Sequence, residues 1–157
     1  MDTARYRFRV LAGSNARIFG LALSNSAPFH LIGNDGGLLQ TTVQVTQIDL
    51  SPGERADVIV DFRGIPVGSS VMLRDLRSGW DLLEFVVARE VNDTGSIPTA
   101  LSTITPLPGQ VTTREFSFDG MSRINGKTYD LDRIDFTVPF GETELWRFRT
   151  AGNAPPP

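Results

Sequence analysis

The sequence predicts an all-β protein, a sandwich or barrel of short strands. Three observations carry that expectation. Apolar and polar residues alternate at period two in one short run after another. Clusters of Gly, Pro, Asn, Asp and Ser separate those runs at short, regular spacing. No stretch of ten residues shows the repeat of an amphipathic helix. Composition agrees, since 40% hydrophobic residues with 15 Gly and 10 Pro in 157 positions suit a turn-rich globular chain. That length fits one domain, or one domain and a piece of another.

The first strand is predicted at 6–10, where Tyr6, Phe8 and Val10 alternate with Arg7 and Arg9. The apolar set should face a core, and the arginine stems should lie over apolar surface with their heads in water. Further strands follow as RIFGLAL (17–23), PFHLIG (28–33), TVQVTQIDL (42–50), ADVIVDF (56–62), SVMLRDL (70–76) and LLEFVVARE (82–90). The turns between them read SNSAP, NDGG, SPGER, RGIPVG and RSGWD. Residues 91–112, rich in Pro, Ser, Thr and Gly, read as a linker running over a surface. Strands resume at TREFSF (113–118), INGKTYDL (124–131), DFTVP (135–139) and ETELWRFRT (142–150). The closing AGNAPPP holds prolines that do not continue a central strand.

Several function classes find no support. The formal net charge of −3 leaves no basic footprint for nucleic acid. No apolar run approaches the ~20 residues of a membrane helix, and MDTARYRFRV lacks the apolar segment of a signal peptide. There is no P-loop, dinucleotide fingerprint, serine elbow or zinc spacing, and no residue set is assigned as catalytic. Glu54, Arg55 and Asp57 in PGERAD invite an acid–base reading, but no nucleophile or paired base accompanies them. A turn at Pro52-Gly53, with Arg55 making ion pairs at the strand entry, is the simpler expectation. NDGG (34–37) reads either as an anion-binding nest or, more simply, as a tight turn whose glycines take positive φ. His30, between Phe29 and Leu31, is expected to be an ordinary strand histidine.

The chain also repeats itself. Tyr6-Arg7-Phe8-Arg9 matches Trp146-Arg147-Phe148-Arg149, an offset of 146 − 6 = 140 residues, about one domain. Chance similarity of two aromatic–Arg strands is one explanation. Consecutive homologous domains, cut at equivalent points, are the other.

RYRFRVLAGSNAR, PFHLIGNDGGLL and LSPGERADVIVDF, followed by INGKTYD and VPFGETELWRF, together resemble the multicopper oxidases, in particular bacterial laccase-like members built from three cupredoxin domains. The resemblance covers most of the chain. It implies an all-β, cupredoxin-like Greek-key β-sandwich. Residues 1–112 would be the copper-free middle domain without its first strands, ending in the linker at about 91–112. Residues 113–157 would be the opening strands of the next domain, packed on the same sandwich or swapped. The resemblance also implies other cupredoxin domains as partners, a possible homodimer by strand exchange, and a parent enzyme that oxidises phenolic or similar substrates with dioxygen. Such parents are mostly periplasmic or secreted. In the family, the last segment runs into HPxHxH, which supplies copper ligands; here Pro156 stands where the first histidine is expected.

Ligand chemistry leads to the same place by another route. A blue-copper site needs two imidazoles and a thiolate, and this chain holds one His and no Cys. It is therefore expected to bind no copper and to oxidise nothing alone. The candidate site is Trp80 with Gly79 in RSGWDLL, expected in an exposed loop. Family resemblance places that loop at the border of the substrate pocket, and plain packing is the equal alternative for Trp80. Two rival readings are a stand-alone β-sandwich module for binding or self-association, and a copper-free relative serving as a periplasmic scaffold.

Overall fold

The computed structural model describes residues 1–109 and 111–150. Pro156 and the closing prolines lie outside the described residues. The chain divides into two compact units, Met1–Ile104 and a second beginning at Thr105. No helix long and apolar enough to cross a membrane occurs among the described residues.

The first unit is a two-sheet sandwich, as alternation demands. One sheet runs β1 (Arg5–Leu11), β6 (Arg55–Asp61), β3 (Phe29–Asn34), β4 (Gly37–Val45). The other runs β5 (Ile48–Leu50), β2 (Phe19–Leu23), β7 (Ser70–Asp75), β8 (Trp80–Val86). Every pairing in both sheets is antiparallel. Apart from the hairpins β3–β4 and β7–β8, each connection crosses from one sheet to the other.

Both sheets send side chains into one core. Phe29, Ala56, Val58 and Val60 come from the first sheet, and Leu21, Leu23, Val71 and Phe85 from the second. Phe62 and Val87, both 0% exposed, complete it. Phe62 meets Tyr6 edge-on at 5.9 Å and Phe85 at 5.3 Å, while Phe8 lies 5.3 Å from Phe85. Burying each such side chain stabilises the fold by about 1.5–3 kcal/mol. On the outer face Arg7 forks onto Asp57 (Nε to Oδ1, 2.8 Å), which also lies 3.9 Å from Arg9. The expected division into aromatic face and arginine face holds.

The turns explain where strands begin and end. In the β3–β4 hairpin Asn34 pairs with Gly37, leaving Asp35 and Gly36 at the tip. Asn34 Oδ1 accepts the Gly36 N–H at 3.1 Å, and Gly37 has φ of +120°. NDGG is thus a tight turn. Beneath it, a Cβ on Gly33 would sit 2.8 Å from the Gly37 carbonyl oxygen, so only glycine fits. The run expected at 42–50 splits into the end of β4 and all of β5, because the chain changes sheet at 46–47.

Residues 91–104 follow the first unit closely. Thr42 N–H donates to Thr99 O at 3.1 Å and Leu101 N–H to Gln40 O at 3.0 Å, so this segment covers the outer edge of β4. At the far edge of that sheet, the Arg5 N–H and guanidinium both donate to Asp93 at 3.0 Å. With the Gly95 N–H added, these donors hold the Asp93 carboxyl down at about 2.

The second unit holds one sheet in the order β11 (Lys127–Thr128), β10 (Arg123–Ile124), β9 (Thr112–Asp119), β12 (Glu144–Thr150). β12 pairs with β9 in parallel. The expected strand at 124–131 is instead a tight hairpin, with Asn125 (φ 53°) and Gly126 (φ 74°) both left-handed, as a primed two-residue turn requires. No strand forms at 135–139; Phe136 turns its ring onto Phe116 (5.4 Å) and Trp146 (5.6 Å) instead. The two copies of the repeated phrase occupy separate places, β1 beside β6 and β12 beside β9.

Candidate functional site

Trp80 and Gly79 sit at the β7–β8 hairpin, and the structure corrects one expectation there. Trp80 is the first residue of β8, paired with Asp75, rather than a loop residue. The turn closes earlier than the sequence suggests because Asp75 organises it. Asp75 Oδ2 accepts the Ser78 hydroxyl at 2.6 Å, and Oδ1 accepts the N–H groups of Gly20 (2.9 Å) and Arg77 (3.2 Å). The Gly79 N–H donates to the Asp75 carbonyl at 2.8 Å, and Gly79 takes φ of +75°, open to glycine at no steric cost. Asp75 is 0% exposed. The Ser78 hydroxyl, then the Gly20 N–H, stabilise its charged form and hold its carboxyl below the ordinary range.

This anchored turn presents Trp80 outward, 56% exposed. The Arg17 guanidinium lies over the indole, 4.3 Å from the ring centre. Leu82, Leu83 and Val86 are exposed along the same edge strand. The arrangement offers a fixed aromatic–cation surface with an apolar flank. The Ser78 hydroxyl is spent on the Asp75 carboxylate within the turn. Sequence reading found Trp80 through its turn neighbours but missed Asp75 and Arg17. An Asp followed by Ser three positions later and then Gly is the local signal for the capped turn; nothing local pointed to Arg17.

The other singled-out residues are structural. Arg55 pairs with Asp35 (Nε to Oδ1, 2.9 Å) at the entry of β6, and Glu54 Oε2 accepts the Ser51 N–H at 2.6 Å across the Pro52-Gly53 turn. The Arg7 fork holds the Asp57 carboxyl below its ordinary range. His30 is half-buried in β3, between Gln44 and Ile59. In the second unit Arg147 and Arg149 share Glu115, at 3.9 and 2.9 Å. Among the described residues, no group of three or more His, Cys, Asp and Glu gathers as metal ligands would.

Comparison with known proteins places this fold. A protein named Cell division protein FtsP, from Dickeya dadantii (strain 3937), is 32% identical over 158 residues, spanning 89% of this chain and 34% of that protein. Multicopper oxidase mco from Staphylococcus epidermidis (strain ATCC 12228 / FDA PCI 1200) is 30% identical over 145 residues, spanning 90% of this chain and 29% of that one. The crystal structure of a multi-copper oxidase from Pediococcus acidilactici superposes with a TM-score of 0.85 at 30% identity, covering 97% of this chain and 33% of that one. The chain is a relative of the multicopper oxidases. Its fold is accordingly a cupredoxin-like β-sandwich. It spans about a third of the length of the curated relatives it matches. No family model matches it. Multicopper oxidases use copper, and the donor set here, one imidazole and no thiolate, does not fit a blue-copper centre.

Proposed function

We propose that this chain is the copper-free middle part of a laccase-like multicopper oxidase, structural and non-catalytic by itself. One combination supports the reading: similarity to multicopper oxidases runs through nearly all of the chain, yet the chain holds a single histidine and no cysteine. In the whole enzyme, which would oxidise phenolic or similar substrates with dioxygen, the sandwich spaces the neighbouring cupredoxin domains. Trp80, fixed by the Asp75 turn and backed by Arg17, borders the substrate pocket together with Gly79. Copper titration tests the non-catalytic part. Metal analysis after dialysis should find no copper retained by the chain, and phenol oxidation should stay at the buffer rate. One tightly held copper per chain would refute the reading.

The relatives named as cell division proteins favour a second reading, in which the sandwich is a copper-free scaffold or binding module. The reading frame on either side separates the two. Flanking HPxHxH and HCH segments mark the oxidase; a frame without them favours the scaffold.

A further inference from the structure

The β10–β11 hairpin turns on Asn125 and Gly126, the one Asn–Gly sequence in the chain. Such a pair is prone to deamidation, because a glycine nitrogen, flanked by no side chain, reaches the asparagine amide carbon unhindered. The fold keeps these two reacting groups apart. The Asn125 N–H donates to the Ser117 carbonyl at 2.8 Å, and the Ser117 N–H donates back to Asn125 Oδ1 at 2.7 Å. The side-chain amide thus stands where a backbone carbonyl would, and extends the β9–β10 ladder one position beyond Ile124–Phe118. Its Nδ2 donates more weakly to the Glu115 carbonyl, at 3.4 Å. The Gly126 N–H goes elsewhere, to Asp119 Oδ2 at 2.7 Å. The Ser117 hydroxyl in turn holds Asp119, at 3.1 Å from Oδ1.

We propose that Asn125 is a deamidation site gated by the pairing of β9 with β10, closed in the folded hairpin and reactive only when that pairing opens. The reaction needs no partner but water. The Gly126 nitrogen gives up its proton and bonds to Asn125 Cγ, and the amide nitrogen takes up a proton and leaves as ammonia. Water then opens the cyclic imide at either carbonyl, which leaves aspartate or isoaspartate at position 125. Folding opposes the first step twice. A carboxylate that accepts the Gly126 N–H disfavours loss of its proton, since the resulting anion would sit beside a like charge. Bringing the Gly126 nitrogen onto Cγ also breaks the Ser117 and Asp119 contacts together. Once formed, the product does not fit back. Aspartate has no donor for the Glu115 carbonyl, and it brings a negative charge to a turn already held by Asp119. Isoaspartate routes the main chain through the former side chain, so the left-handed pair at φ 53° and 74° is lost. Every contact in this gate lies between residues 115 and 126, so the inference rests on no neighbouring segment and not on the oxidase reading.

The whole chain, held at mildly alkaline pH with and without an unfolding concentration of urea, is sampled over time by peptide mass. Asn125 in the folded chain should convert at least about tenfold more slowly than in the unfolded chain, because only the open fraction reacts. Asp119→Ala frees the Gly126 N–H and should speed conversion in the folded chain by about threefold or more. A Trp80→Phe background leaves Trp146 as the only indole, and its fluorescence reports whether β12 and β9 stay folded in the variant. Equal rates in the folded and unfolded parent overturn the proposal. An Asp119→Ala chain that keeps the native Trp146 signal and the parent's slow rate overturns it as well. If Asp119→Ala loses that signal, urea below the unfolding transition decides the matter in the parent. Exchange of the Gly126 amide and conversion of Asn125 should then rise together, and conversion that does not follow exchange overturns the gate.

Discussion

Asp75→Ala tests the account of the β7–β8 turn. The carboxylate is fully buried and holds three donors, two backbone N–H groups and the Ser78 hydroxyl. After truncation, Ser78 and Arg77 turn to water, because both are at least partly exposed. The Gly20 N–H cannot, since Gly20 is buried in β2. An orphaned buried donor costs about 1–3 kcal/mol, and losing hydrogen bonds to a charged acceptor costs a similar amount again. A total of about 3–4 kcal/mol follows, less than the plain sum because two donors recover partners in solvent. At an m-value of about 1.5 kcal/mol/M, the urea midpoint of the first unit should fall by about 2 M. Asp75→Asn should cost less. Its Oδ1 still accepts from Gly20 and Arg77, and only the Ser78 contact must reverse its donor and acceptor. The pH dependence has a definite sign. The folded carboxyl lies below its ordinary 3.8, so the unfolded chain takes up the proton first. The advantage of Asp75 over Asn is therefore complete above about pH 4 and fades as pH falls through the folded value. Urea midpoints at neutral and acid pH measure both effects. A midpoint shift below about 0.3 M for Asp75→Ala at neutral pH would refute the reasoning, as would an Asp–Asn gap that widens on acidification.

Two further outcomes follow from geometry. With Trp146→Phe isolating Trp80, acrylamide should quench the remaining indole readily, as its 56% exposure requires; complete protection would remove Trp80 from any contact surface. Gly33→Ala should destabilise by about 2–3 kcal/mol, because its Cβ meets a backbone oxygen at 2.8 Å, whereas Gly79→Ala, with open space around it, should cost only about 1 kcal/mol for its positive φ. Equal midpoints for the two variants in urea would show that the β3–β4 hairpin gives way under Gly33.

What the sequence made legible, and what it hid, divides along the range of the interactions involved. Period-two alternation is a property of one strand, so YRFRV and ADVIVDF announced β1 and β6 with their inward faces already correct. NDGG and Asn125-Gly126 are turn chemistry contained in a few residues; the first was readable as a turn, and the second was lost inside a longer run of strand-like residues. The misplaced boundaries have a different origin. Gly37-Leu38-Leu39 does not alternate, and it becomes strand only because β3 lies alongside to pair with it. Thr46-Gln47 reads as strand but is where the chain leaves one sheet for the other. The same division governs the site. Trp80 was visible because its neighbours are turn formers, whereas Asp75 looked like one more polar strand end. Its burial is set by Gly20, more than fifty positions away, which supplies a donor at 2.9 Å. The aromatic face of β9 and β12 is the limiting case. Alternation in TREFSF and LWRFR reveals that the face exists and which residues compose it. What packs against that face is a long-range matter that no local pattern encodes.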